Sequence, residues 1–194
     1  MAIKIATLCG SSRPGNYTAM ALALVNEEFR RAGEVELHDI DLNTVELTFP
    51  GREPRGESAA AFRQAVAEAT GVVIATPEYH GSFSSLTKLA IENLGFPSVL
   101  AGKPVALLGV AAGQIGAIKS LEHLRSVCSH VGALVLPALV SVARVQEVFD
   151  EGGKCLDPQA ERRIRGVART LLDYIHGAVC PKVVLEAMMR DQAA

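Results

Sequence analysis

Residues 10–18 read GSSRPGNYT. They set adjacent hydroxyls, a guanidinium, a carboxamide and a phenol around Gly10 and Gly15. That mixture suits an oxyanion. The two glycines let the backbone turn tightly, and Asn16 or Thr18 can cap a helix starting there. The first amides of such a helix have no partner within it and point outward, where a phosphate can accept from them. Ser11, Ser12, Tyr17 and Thr18 add hydroxyl donors, and Arg13 adds charge. Two common phosphate motifs are not met. No Lys-Ser/Thr pair closes the loop as in GxxxxGK[ST], and the glycines do not follow GxGxxG. Taken alone, the loop also fits a Ser/Gly-rich turn that only caps its helix.

Residues 76–95 read TPEYHGSFSSLTKLAIENLG. Pro77 is expected to end a strand. PEYHGS then offers extended backbone before Ser84 or Ser85 caps the next helix. A flat heterocycle such as a flavin pyrimidine needs both donors and acceptors at its edge, and such backbone supplies both. Tyr79 and Phe83 add apolar surface. Glu78 and His80 could do acid–base work, but a surface acid and a solvent-facing loop histidine fit equally well. Residues 109–125, GVAAGQIGAIKSLEHLR, are small at Ala111, Ala112, Gly113 and Gly116. A ring can approach such backbone closely, and so can a packed helix.

The elements that must position these loops announce themselves as unbroken apolar runs at Ile3–Leu8, Val72–Thr76, Val105–Val110 and Leu134–Val140. Runs without alternation belong to strands buried on both faces, hence to a parallel sheet covered by helices. VELHDIDL at 35–42 alternates more and reads as an edge strand. Phe62, Val66 and Ala69 mark one intervening helix. Ile164, Val167, Ala168, Leu171, Leu172 and Ile175 mark the last, behind an Asp157–Pro158 cap, with Arg162, Arg163, Arg165 and Arg169 expected on the opposite face. Strands and helices alternate five times. The fold class is α/β: a doubly wound three-layer sandwich on a five-stranded parallel sheet. Ligands of such sheets bind at the carboxyl ends of the strands. The loops at 9–18, 41–57, 76–85 and 111–117 lie there, and the length and Pro/Gly content of 41–57 suggest function. Residues 1–180 form one domain. Pro181 is expected to break off a tail, 181–194, whose Val184, Leu185, Met188 and Met189 form a short apolar stripe.

The whole chain sets limits. It has 194 residues, 49% hydrophobic and 21% charged, with a net charge of −2. A nucleic-acid partner held by bulk electrostatics would need a basic excess. No apolar run is long enough to span a membrane, and no signal peptide is expected. Cys9, Cys128, Cys155 and Cys180 form no CxxC pair, so reduced thiols in a cytoplasmic protein are expected. The histidines show no metal-ligand spacing with them.

In their order and spacing, the three loops resemble the NADPH-dependent FMN reductase family of flavodoxin-like proteins, which includes quinone, azo-dye and chromate reductases. The family pattern GSxRxxSxN meets GSSRPGNYT here. PEYNxSxPxxLKNAIDW meets PEYHGSFSSLTKLAIEN, and LGAxVLP meets VGALVLP at 131–137. The resemblance covers roughly residues 3–140 and implies the strand order 2-1-3-4-5. It implies that Ser11 and Arg13 bind the FMN phosphate, with Asn16 where Ser is usual, Thr18 where Asn is usual, and Tyr17 between them. Pro77, Glu78, Tyr79 and His80 would line the isoalloxazine, mainly through backbone, with His80 in place of Asn. Ala112, Gly113 and Gly116 would approach the far side of the ring. The implied reaction is ping-pong hydride transfer. NADPH or NADH stacks on the flavin and leaves, and a small-molecule acceptor (a quinone, free flavin, azo dye or metal oxyanion) takes its place. No catalytic side chain is required. Arg13, with Arg52 or Arg55, is available for the 2′-phosphate of NADPH. The family also implies a homodimer or homotetramer. Ser84, Leu89 and Asn93 depart from its pattern on the helix that contributes to that interface. The alternative is a flavin-binding electron-transfer or regulatory protein without NADPH turnover of its own. A net charge of −2 and a basic last helix disfavour the acidic docking surface such a carrier uses.

Overall fold

Alternate residues of the central strands face two different cores. In β1 (Ile3–Cys9), Ile3, Ile5 and Cys9 enter one core while Ala6 and Leu8 enter the other. In β3 (Gly71–Tyr79), Val73 and Ala75 oppose Val72 and Ile74. In β5 (Pro104–Val110), Ala106, Leu108 and Val110 oppose Val105 and Leu107. Both faces demand apolar side chains, which is why these runs do not alternate in sequence. The first core is closed by α1 (Tyr17–Ala32) and α6 (Pro158–Tyr174). The second is closed by α2 (Glu57–Glu68), α3 (Ser85–Asn93) and α4 (Ile118–His130). Leu107 and Leu108 are both buried, and truncating either to Ala is expected to cost about 2–5 kcal/mol.

The computed structural model describes residues 2–52 and 56–193. Its sheet adds the edge strand β2 (Val35–Asp41), β4 (Ser82–Phe83), β6 (Leu134–Val135) and β7 (Val140–Val142); a one-turn helix, α5 (Val145–Val148), follows β7. The order β2-β1-β3-β5-β6 is the expected 2-1-3-4-5 arrangement, all parallel. The fifth position is not the single strand Leu134–Val140. It is split between β6 and β7, both paired with β5. Pro137 lies in the gap, and Ala138 beside it adopts a left-handed φ of 65°. Proline donates nothing to a ladder, so pairing lapses and resumes.

Three further details differ from expectation. Pro77 does not end β3. The strand continues to Tyr79 and pairs antiparallel with β4. Pairing with β1 stops at Ala75, so Pro77 sits where its missing N–H breaks no ladder on that side. Arg165 is not on the solvent face of α6 but only 8% exposed. Its guanidinium donates to Glu27 and Glu161, both at 2.8 Å, and to the Leu24 carbonyl at 3.1 Å. Pro181 does not detach the tail. A π-helical turn, Ile175–Val179, leads into α7 (Cys180–Ala193). The wider turn relieves the clash a proline ring makes with the carbonyl four residues earlier, here that of Gly177.

Candidate active site

The carboxyl ends of β1, β3 and β5 open into two clefts of about 410 and 420 Å³. The first is lined by Ser11, Arg13, Asn16, Tyr17 and Thr18 from the β1–α1 loop, by Pro77–Tyr79 from β3, and by Ala111 and Ala112 after β5. The second is lined by Glu78, His80, Gly81 and residues 111–116. They share Glu78, Ala111 and Ala112, so they form one trough. All twelve residues anticipated from the sequence line it, though they do so in different ways.

The β1–α1 loop is held rigidly. Asn16 caps α1: its Oδ1 accepts from Ala19 N at 2.8 Å, and its Nδ2 donates to the Arg13 carbonyl at 2.7 Å. That side chain is engaged with the loop itself. Thr18 takes no part in the cap and is buried in the first turn. Ser11 is 1% exposed and its Oγ has no hydrogen-bond partner. Buried hydroxyls are normally paired, so this one, lining the cleft, is a donor awaiting an acceptor. Across the cleft, the Arg13 guanidinium lies over the Tyr79 ring, 5.0 Å from its centroid, within cation–π range.

A buried hydroxyl network fixes the start of this loop. The Ser84 hydroxyl donates to the Gly10 carbonyl, and the Thr76 hydroxyl donates to the Pro77 carbonyl at 3.1 Å. Each hydroxyl has one proton, so Thr87 Oγ1 shares its single proton between Ser84 Oγ (2.9 Å) and Thr76 Oγ1 (3.3 Å). A Cβ on Gly10 would fall 1.9 Å from Thr87 Oγ1 and 2.9 Å from the Ala75 carbonyl, so only glycine fits. On the other side, Asn43 Nδ2 donates to the Ser11 carbonyl at 2.9 Å. Sequence reading missed Thr76, Thr87 and Asn43. Only the Ser84 cap left a signal there, and the structure places it on Thr87 N at 3.1 Å.

The β3–β4 hairpin carries the other wall. His80 and Gly81 are its two turn residues, with φ of 50° and 73°. Positive φ at both positions is the type I′ signature, for which Asn-Gly is the favoured pair. The turn therefore accounts physically for a family preference for Asn at position 80. Glu78 has a structural task. Its Oε2 accepts from Ser120 N in the first turn of α4, at 3.1 Å. Ala117, at the helix's own N-cap, has no side chain that can cap it, so Glu78 does so from β3.

The small residues divide in function. A Cβ on Gly113 would meet nothing within 4 Å, so its open face is free for a ring. Gly116 has φ +78°, and a Cβ there would strike Ser141 Oγ at 2.4 Å. Ser141 Oγ in turn accepts from Ala117 N at 2.8 Å. Gly116 therefore lets β7 approach α4. The Ala112 carbonyl accepts from Gln146 Nε2 at 3.2 Å. Arg52 does not join the trough. It stacks over Phe49, 5.7 Å from the centroid, and lines a separate cleft with Thr48, Arg63 and Asn93. Arg55 lies outside the described residues.

The chain and its fold have counterparts among known proteins. The family model for NADPH-dependent FMN reductases matches residues 3–147. A 2-hydroxy-1,4-benzoquinone reductase of Burkholderia sp is 34% identical over 147 residues, covering 70% of this chain and 75% of its own. The NAD(P)H-dependent FMN reductase PA1204 of Pseudomonas aeruginosa is 32% identical over 170 residues, covering 84% and 90%. Among solved structures, FerB, a flavoenzyme NAD(P)H:(acceptor) oxidoreductase from Paracoccus denitrificans, superposes with a TM-score of 0.73 at 22% identity, covering 90% of this chain and 98% of that one. With the family's model matched across the sheet and all three loops, the chain belongs to the NADPH-dependent FMN reductases and is an FMN-dependent NAD(P)H oxidoreductase.

Proposed function

We propose that the trough holds FMN with its phosphate against Ser11, Arg13, Tyr17, Thr18 and the first amides of α1. The observation that carries this is the buried, unpartnered Ser11 Oγ at that helix N-terminus. A phosphate supplies the acceptor the hydroxyl lacks, and the helix end favours its charge. The isoalloxazine then runs along Pro77–His80, with Ala112 and Gly113 on the other side. Bound FMN supplies the hydride-accepting and hydride-donating chemistry. The protein's part is placement: the hydroxyl network fixes the phosphate end and the type I′ turn fixes the ring end. Asn16 and Gly116 act by shaping those walls.

The acceptor is a small planar molecule of the quinone class, with free flavin, azo dyes and metal oxyanions as other substrates of the same open face. The Burkholderia relative's name supports the quinone. The nicotinamide substrate is NAD(P)H, and among the described residues Arg13 is the cation of the expected 2′-phosphate group that lines the trough. The protein works as a homodimer or homotetramer; Phe96, at 92% exposure, and Ile115, at 71%, are the apolar surface that supports this. The four free thiols support a reducing, cytoplasmic compartment.

The test is FMN affinity. Ser11→Ala with Arg13→Ala removes two contacts worth roughly 1.5–3 kcal/mol each when made to a charged group. Affinity by flavin-fluorescence titration falls at least about tenfold. Unchanged affinity overturns the assignment of the phosphate end.

A further inference from the structure

We propose that a second pocket, on the opposite side of the phosphate loop from the trough, binds a small organic cation through its N–H groups. It lies between α1 and β2 and has a volume of about 530 Å³, within the range of small-molecule sites. Ala19, Leu22, Ala23 and Asn26 line it from α1. Their spacing puts them on one helix face, apolar for most of its length and ending in an amide. Asp39 and Asp41 line it from β2. Residues two apart share a strand face. On that same face Val35 and Leu37 pack into the first core. The row thus changes from apolar to acidic where the pocket opens.

The decisive group is Asn26. It is 2% exposed, and its Oδ1 has no hydrogen-bond partner. A buried amide oxygen without a donor is an exception that calls for a ligand or an ordered water. The carboxylates offer no donor either. Asp39 Oδ1 accepts from Thr7 Oγ1 at 3.2 Å, and Asp41 Oδ1 accepts from both nitrogens of Asn43. Their second oxygens accept no hydrogen bond among the described residues; Asp39 Oδ2 has only the exposed Arg30, at 3.9 Å. Arg13 reaches over Tyr79 and forms no ion pair with either aspartate. Burial of the Cys9 thiol, with Asp41 and Asp39 adding to it, pushes its pKa up, so it contributes no further negative charge.

The pocket therefore presents acceptors at two levels, an amide oxygen at the floor and carboxylate oxygens at the rim, beside an apolar wall. Among the described residues no three His, Cys, Asp or Glu side chains gather as a metal set. An anion would meet the two carboxylates at the rim. An ammonium or amidinium on an alkyl or aryl stem suits the Asn26 oxygen and both carboxylates, because it brings charge and several N–H donors together. Arg13, Pro14, Gly15 and Asn16 line both this pocket and the trough, so such a ligand would rest on the back of the phosphate loop.

Isothermal titration of the FMN-saturated protein with benzamidine tests this, with neutral benzamide and anionic benzoate as matched shapes. Benzamidine is expected to bind with one-to-one stoichiometry, benzamide at least about tenfold more weakly, and benzoate not at all. Asn26→Leu and Asp39→Asn should each weaken benzamidine at least about tenfold while FMN content stays the same. Asp39 is exposed, so its variant folds even if the substitution in the core does not. No heat with benzamidine at millimolar concentration, equal binding of benzamide, or undiminished binding by Asp39→Asn overturns the proposal.

Discussion

Glu78 is the side chain at this site for which a structural and a catalytic role can be told apart by experiment. It lines both clefts of the trough, yet its Oε2 accepts from Ser120 N at the start of α4. That contact divides into two parts. The hydrogen bond is an N-cap supplied from another element, and losing such a cap costs about 1 kcal/mol, within a range of roughly 0.5–2. The negative charge at the helix N-terminus adds about 0.3–1 kcal/mol, at the lower end for a group that solvent partly screens. Glu78→Gln keeps an amide oxygen in place and loses only the charge. Glu78→Ala loses both. In a domain of this size 1 kcal/mol corresponds to about 2–4 °C in Tm. The glutamine variant should therefore fall by about 1–3 °C and the alanine variant by about 3–8 °C. Thermal melts of the FMN-loaded proteins measure this. Anaerobic stopped-flow reduction by NADPH, followed as flavin bleaching, measures the chemistry.

The two assays separate the roles. A capping residue lowers Tm in the order Glu, Gln, Ala and leaves the glutamine variant at least about a tenth of the wild-type reductive rate, because delivering a hydride requires no proton from the protein. A thousandfold loss of that rate in Glu78→Gln, with FMN still bound and Tm hardly changed, would falsify the reasoning and make the carboxylate catalytic. An unchanged Tm in Glu78→Ala would equally show that α4 does not rely on this cap.

The remaining predictions concern other parts of the fold. His80→Asn suits the left-handed turn position and should leave Tm equal or higher, whereas His80→Val costs roughly 1–2 kcal/mol there and lowers Tm by about 2–8 °C; a valine variant as stable as wild type would contradict the type I′ assignment. Hydrogen bonding from Arg169 holds the Glu28 carboxyl below its ordinary value of 4.5, against the effect of burial. The stability this confers is complete above the ordinary value and is lost as pH falls through the depressed one. Glu28→Gln should accordingly flatten the fall of Tm between about pH 5 and 3, and an unaltered slope would count against the pair. On α7, Val184, Leu185, Met188 and Met189 are all exposed, so deletion of residues 181–194 should weaken the proposed oligomer without releasing FMN. Light scattering across a dilution series reads this, and an unchanged mass would leave the tail with no part in assembly.

What could be read from sequence follows from the range of the forces involved. Burial on both faces of a strand writes itself into consecutive residues, so β1, β3 and β5 were plain in the runs around Ile5, Ile74 and Leu107. Capping is local too, and Asp157, Asn16 and Ser84 stand at helix starts where their side-chain oxygens are needed. Arg165 shows where local reasoning stops. Its periodicity places it near its arginine neighbours on α6, but Glu27 on α1 meets it from 138 residues away, and only the packing of α1 on α6 brings them together. The π turn before Pro181 was hidden for a related reason. Proline signals a break, and nothing in the neighbouring residues says that one widened turn will absorb it.

The same distinction separates the walls of the trough from what they are for. The loops could be recognised by composition, since glycine, serine and small residues crowd the strand ends. Their rigidity could not, because Ser84 reaches the Gly10 carbonyl across 74 residues, and Glu78 reaches Ser120 N across 42. Those long-range contacts determine how the site behaves. The loop backbone is fixed by Thr76, Ser84, Thr87, Asn16 and Asn43, whose polar atoms are occupied by one another and by carbonyls. Ser11 Oγ is the hydroxyl of that loop left buried and unpaired. Donors held in place by their surroundings cost no reorganisation when an acceptor binds them. Such a site favours the ligand that fills the position, and where a bound cofactor carries the chemistry the protein's part is its placement.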